Sequence, residues 1–176
     1  MHLNMKRNLL ANIARREAEQ KRSGNANLAG PAIEPYLSVF RDALNQNGST
    51  EDFSDLSRGF PWCCAFVYYC CLQAGYHLSP KPIESYRYTL SAVSAWHNWA
   101  SSQGFFHTAH NTIPEKGDIA LFNYVFDGNP LDHIGVVLDV DSEGVLCAEG
   151  NNLNRTGIFH RNYSVIEGYV RLPEDT

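Results

Sequence analysis

Residues 61–75 read Pro-Trp-Cys-Cys-Ala-Phe-Val-Tyr-Tyr-Cys-Cys-Leu-Gln-Ala-Gly, and this run decides the fold. Apolar side chains occupy every side of a helical wheel drawn over 62–74, which predicts a helix buried nearly all round. Gly75 supplies its C-terminal stop. Upstream, residues 34–46 predict a second helix, with Tyr36, Leu37, Phe40 and Leu44 on one face and Asn47-Gly48 at its end. Residues 5–21 predict a helix with a modest stripe of Leu9, Leu10, Ile13 and Ala14. Downstream, Leu90, Val93, Trp96 and Trp99 mark a helix over 89–102.

Beyond Gly104 the pattern changes to short alternating or β-branched runs punctuated by Gly, Asn and Asp. Strands are predicted near 118–124, 132–140, 144–149, 156–161 and 166–172. The turn Asp141-Ser142-Glu143-Gly144 joins two of them as a hairpin. Helices first and antiparallel strands second is an α+β order, with the helices on one face of a meandering sheet. Ser23–Pro31 is rich in Gly, Asn and Pro and reads as a linker. The expected division is therefore 1–33, a basic helix with its linker, and 34–176, the main domain.

With 176 residues, 44% hydrophobic and 12% aromatic, the chain has the composition of a soluble globular protein. No run of about 18 apolar residues suggests a transmembrane helix. Residues 1–20 lack the apolar centre of about 7–15 residues that a secretory signal peptide needs, so the expectation is a soluble cytoplasmic product. The net charge of −5 argues against a nucleic-acid partner. It is unevenly placed: six Lys/Arg against two Glu give residues 1–22 a charge of +4, which leaves −9 for the rest. Such a basic arm suits an anionic polymer or surface, although the simpler reading is a solvated helix on the domain's flank.

The five cysteines are an odd set for a disulfide scaffold. Four form the vicinal pairs Cys63-Cys64 and Cys70-Cys71, and no His pair follows at zinc-ligand spacing. A different chemistry fits the first pair. A thiol in the first turn of a helix faces unpaired backbone N–H groups and the positive end of the dipole. Both lower its pKa from about 8.5, and the same N–H groups can receive an oxyanion. Cys63 and Cys64 both qualify; Cys70 and Cys71 lie too deep and read as core. A base is available in His133, which opens the strand Asp-His-Ile-Gly-Val-Val (132–137) on the face of Gly135 and Val137. Glu149, on the next strand and within hairpin reach, is placed to accept the imidazole N–H and fix its tautomer. A lone strand histidine or helical cysteine is more often plain structure. Here it is the order of thiol, imidazole and carboxylate that suggests an enzyme.

These segments also resemble a known family. Pro61-Trp62-Cys63-Cys64-Ala65-Phe66-Val67 with Ala74-Gly75 is similar to the nucleophile helix of CHAP domains, the cysteine, histidine-dependent amidohydrolases/peptidases. Pro114 to Phe122 (PEKGDIALF), Asp132 to Val137 (DHIGVV), Glu149-Gly150-Asn151 and Ile166 to Arg171 (IEGYVR) resemble further motifs of that family, in the same order. The likeness spans about residues 34–173. It implies a papain-like fold with helices packed on an antiparallel sheet of about five strands. It also implies Cys63, which follows Trp62, as nucleophile, with Cys64 in an alanine's place. His133 becomes the base, Glu149 its orienting carboxylate and Asn151 a further polar member of the site, and no cofactor is required.

The usual substrate of such domains is peptidoglycan, cut at the N-acetylmuramoyl–L-alanine amide or within the stem or cross-bridge peptide. Without an export signal the chain would need a phage lysis pathway, a dedicated secretion machine or removal of an export segment. An inhibitor or delivery protein is then a candidate partner. The stretch Pro80–Ala92 and the loop Val125–Leu131 are expected to shape the cleft. Tyr86, Tyr88, Phe126 and Trp96 are aromatic candidates for substrate contact, with Trp96 better suited to the core. Two rival readings are an inactive wall-binding module and a toxin-like peptidase or deamidase acting on a protein.

Overall fold

The computed structural model describes residues 4–176. Four helices precede or flank a six-stranded, wholly antiparallel sheet, an α+β architecture. The helices are α1 (Met5–Glu19), α2 (Glu34–Gln46), α3 (Cys63–Gln73) and α4 (Val93–Gln103). The strands are β1 (Phe106–Thr108), β2 (Ile119–Phe122), β3 (His133–Val140), β4 (Gly144–Asn152), β5 (Arg155–Asn162) and β6 (Ile166–Val170). They lie in the order β1-β6-β2-β3-β4-β5. None of the described helices is long and apolar enough to cross a membrane.

Five strands match the expected ones. The sixth, β1, is a three-residue edge that pairs Phe106–Thr108 with Gly168–Val170, too short to show an alternation. The fourth helix begins at Val93, later than its apolar spacing suggested. Residues 89–92 form a turn instead, with the Leu90 N–H donating to the Pro80 carbonyl at 2.8 Å.

α3 is the centre of the molecule, as its all-round apolar surface requires. It packs on α2 and α1 on one side and on β3 and β4 on the other. Gly75 closes it with φ 85°. The Tyr76 and Gly75 N–H groups donate back to Cys71 and Leu72, the paired bonds of a Schellman stop. The sheet's two faces carry different clusters. Ile119, Leu121, Ile134, Val136 and Ala148 join the helices in the main core. Ala120, Phe122, Val137, Val145 and Cys147 form a second cluster with Ile166 and Tyr169.

The N-terminal helix shares the main core. Leu10, Ala11, Ile13, Ala14 and Ala18 are buried in it, while Leu9 faces outward. Its charges are partly absorbed: Arg7 pairs with Glu115 at 2.9 Å, and Glu17 accepts the Tyr36 hydroxyl at 2.8 Å. The linker runs beside the β4–β5 hairpin. Its Gly24 N–H donates to the Asn154 carbonyl, and the Arg22 carbonyl accepts from Thr156.

Candidate active site

The first turn of α3 has no side-chain cap, so its leading N–H groups are left for another acceptor. The helix tip is nevertheless held firmly. Trp62, fully buried, stacks on Tyr36 with centroids 5.7 Å apart, and its indole N–H donates to Asn154 Oδ1 at 3.1 Å. Gly150 lets β4 come close beneath: a Cβ there would lie 2.4 Å from Phe66 Cβ and 2.9 Å from Trp62.

The structure brings Cys63, His133 and Glu149 together. The Cys63 thiol and the His133 imidazole are near enough for each to shift the other's pKa. His133 Nε2 lies 2.8 Å from Glu149 Oε2. All three are buried, at 7%, 2% and 0% exposure. Gly135 makes this possible, because a Cβ at that position would come within 2.9 Å of Glu149 Cγ. The carboxylate therefore crosses β3 above a residue without a side chain.

Electrostatics follow from this packing. The neighbouring Cys64 thiol, then His133 and the Cys64 backbone N–H, outweigh burial and pull the Cys63 thiol down to about 5. Burial, together with Cys63, pushes Cys64 well up. Burial works against the His133 charge, but Cys63 and Glu149 prevail and raise its pKa to about 9. Burial likewise opposes the Glu149 charge, and Arg161 and His133 overcome it, so its pKa lies below the usual carboxylate value. The arrangement favours a thiolate beside an imidazolium, the reactive form of a nucleophilic cysteine.

Two residues around the carboxylate escaped the sequence reading. Arg161 donates Nε to Glu149 Oε1 and Nη2 to Oε2, both at 2.7 Å. Asn152 Nδ2 donates to Oε2 at 3.1 Å. Asn151, expected here, lies in the bulge where the β4–β5 register shifts between Glu149 and Asn152, with φ 54°. On a regular strand, residues 149 and 151 share a face; the bulge brings the next amide round to Glu149 instead. A charged residue in the strand TGIFHRN (156–162) was the available signal for Arg161. Its target depended on the register that sets Gly157 opposite Glu149.

The loop after β2 covers the imidazole. Asp132 accepts the N–H groups of Val125, Phe126 and Asp127 at 3.1, 2.7 and 3.1 Å. This curls Phe126 over His133, edge to face, with centroids 4.7 Å apart, while Phe122 stacks at 6.0 Å. Phe126 and Tyr88 remain exposed, whereas Trp96 is buried and donates to the Leu90 carbonyl at 2.8 Å. A cavity of about 560 Å³ lined by Gly30, Pro31, Glu34, Pro35, Ser38 and Leu56 contains none of the three clustered side chains. This cavity is therefore separate from the cluster of Cys63, His133 and Glu149.

Two solved structures resemble the chain in shape: a crystal structure of Ly7917, and Ly7917 with the hydrolyzing product of MDP. The first is 12% identical with a TM-score of 0.41 and covers 94% of this chain and 62% of its own. The second is 15% identical with a TM-score of 0.41 and covers 96% and 63%. The chain thus spans less than two thirds of the length of either. No curated protein matches it. The CHAP domain model matches residues 55–151, more than half of the chain and the segment that carries Cys63, His133 and Glu149. The chain belongs to the CHAP domain family.

Proposed function

We propose that the protein is a cysteine amidase or peptidase that hydrolyses amide bonds of peptidoglycan. The bond is the N-acetylmuramoyl–L-alanine linkage or one within the stem or cross-bridge peptide. The observation that carries this reading is the buried relay of Cys63, His133 and Glu149 at the uncapped tip of α3. Family membership supports a hydrolase of this broad class.

In this mechanism the Cys63 thiolate attacks the amide carbonyl. N–H groups of the first turn of α3 receive the oxyanion. His133, charged while the thiolate waits, gives its proton to the leaving amine, and a thioester forms. Neutral His133 then takes a proton from water, which attacks the thioester and releases the acid and the thiolate. Glu149 keeps the imidazole oriented throughout. Asn152 steadies the carboxylate, and half-buried Asn151 is a further polar member of the site.

Digestion of purified peptidoglycan, with fragments identified by mass spectrometry, tests the proposal. Wild type is expected to release fragments, and Cys63→Ala to release none. Wall binding without fragments from wild type would favour an inactive binding module. Cleavage of a protein but not of the wall would favour a toxin-like peptidase.

A further inference from the structure

The geometry points to Arg161 as a positioning residue, whose planar fork holds Glu149 in the orientation that His133 requires. This rests on reading Cys63 and His133 as the reacting pair. Arg161 is on β5, opposite Val145, and Glu149 is opposite Gly157. The two side chains therefore lean toward one another along the strand pair and together close an offset of four residues. Gly157, opposite the carboxylate, leaves room for the Phe159 ring, which a Cβ there would meet at 2.7 Å. The guanidinium lies in a cage of three rings, 5.6 Å from Phe122 and 5.7 Å from both Phe126 and Phe159. Such a cage fixes a planar cation and shields it from water. Both carboxylate oxygens are engaged at 2.7 Å, a bidentate pair. Without the fork, only contacts on Oε2, from His133 and Asn152, would remain among the bonds described.

The sign of its effect follows from counting charges. With Arg161, the buried set holds two anions, Cys63 and Glu149, and two cations, His133 and Arg161. Asp132 and the Cys147 thiol also face the guanidinium, from the covering loop and from β4. Removing Arg161 leaves two anions against one cation in a buried space, so one anion takes up a proton at higher pH. If that is the thiolate, its midpoint rises directly. If it is Glu149, the imidazolium loses its partner, and the thiolate loses the imidazolium.

The test is the pH dependence of Cys63 alkylation by iodoacetamide, read by peptide mass spectrometry on the full chain, with melting curves to confirm folding. Arg161→Met is expected to raise the Cys63 midpoint by about one pH unit. Arg161→Lys, which keeps the charge and loses the fork, should raise it by less. In a Glu149→Gln background, Arg161→Met should add no further shift. A wild-type midpoint in folded Arg161→Met, even with a lowered melting temperature, would overturn the proposal. Should the Met variant not fold, an unshifted midpoint in Arg161→Lys would overturn it equally. Alkylation needs no wall substrate, so inactivity on peptidoglycan would count against the proposed function while leaving this measurement intact. A wild-type midpoint in His133→Ala would instead remove the reacting pair itself.

Discussion

Cys63-Cys64 and Cys70-Cys71 are the same dipeptide on the same helix, and all four thiols are free and buried. Seven residues are close to two turns, so Cys63 and Cys70 point in nearly the same direction, about 10 Å apart along the axis. Their chemistry nevertheless diverges. Cys63 meets an imidazole and the unpaired N–H groups of the helix tip, and its pKa falls. Cys70 is surrounded by apolar groups, with Cys71 and Glu17 nearby, and its pKa rises well above the usual value. Burial raises Cys71 as well. Residue type, burial and direction are shared; depth along the helix separates a thiol whose pKa is lowered from one whose pKa is raised.

The sharpest way to break this comparison is to remove each sulfur in turn and measure peptidoglycan hydrolysis. Cys63→Ala is expected to lower the rate by roughly four orders of magnitude or more. Cys70→Ala should leave kcat/KM unchanged and cost about 1 kcal/mol of stability in a denaturant titration. An active Cys63→Ala would mean that the wrong end of the helix has been assigned.

Glycines probe the same two ends through the backbone. Gly150→Ala places a methyl group 2.4 Å from Phe66 Cβ, so the tip of α3 must lift from β4. A loss of about 2–3 kcal/mol is expected, together with lowered activity, because the tip carries Cys63. At the other end, Gly75 has φ 85° and open space around it. Gly75→Ala should cost only about 1 kcal/mol and leave activity untouched. Equal activity losses in the two variants would show that the reactive end has no special dependence on position.

The pH profile tests the electrostatic half of the comparison. Below about 5 the Cys63 thiolate takes up a proton and loses its nucleophilicity. Above about 9 the His133 imidazolium loses the proton it must give to the leaving amine. kcat/KM is therefore expected to be bell-shaped, with a plateau between these values and limbs falling about tenfold per unit beyond them. A single limb near 8.5 would describe an ordinary thiol and would remove the contrast with Cys70.

Much of this contrast was legible before any coordinates. The all-round apolar run fixed α3, and the vicinal pairs fell at its tip and in its middle. Strand alternation put His133 beside Gly135, although the space serves the Glu149 side chain as it crosses β3. What the sequence hid depends on register and on departures from regular strand geometry. The bulge at Asn151 turns Asn152, not its predecessor, toward Glu149. The partnership of Arg161 with Glu149 spans two strands whose alignment no local pattern encodes. β1 was invisible because three residues carry no period.

The smallest expected effect is the most discriminating within the first pair. The neighbouring Cys64 thiol, itself held protonated by burial, also lowers Cys63, but it acts by contact alone, whereas His133 acts by contact and by charge. Cys64→Ala removes that thiol while keeping the imidazole and the helix N–H groups. The midpoint of Cys63 alkylation should then rise by less than about one unit, whereas Cys71→Ala should not move it. A rise as large as that of His133→Ala would make the vicinal thiol, and not the imidazole, the main source of Cys63 reactivity. No rise at all would assign the low pKa entirely to helix tip and imidazole, and Cys64 would then be a packing residue of the same kind as Cys70 and Cys71.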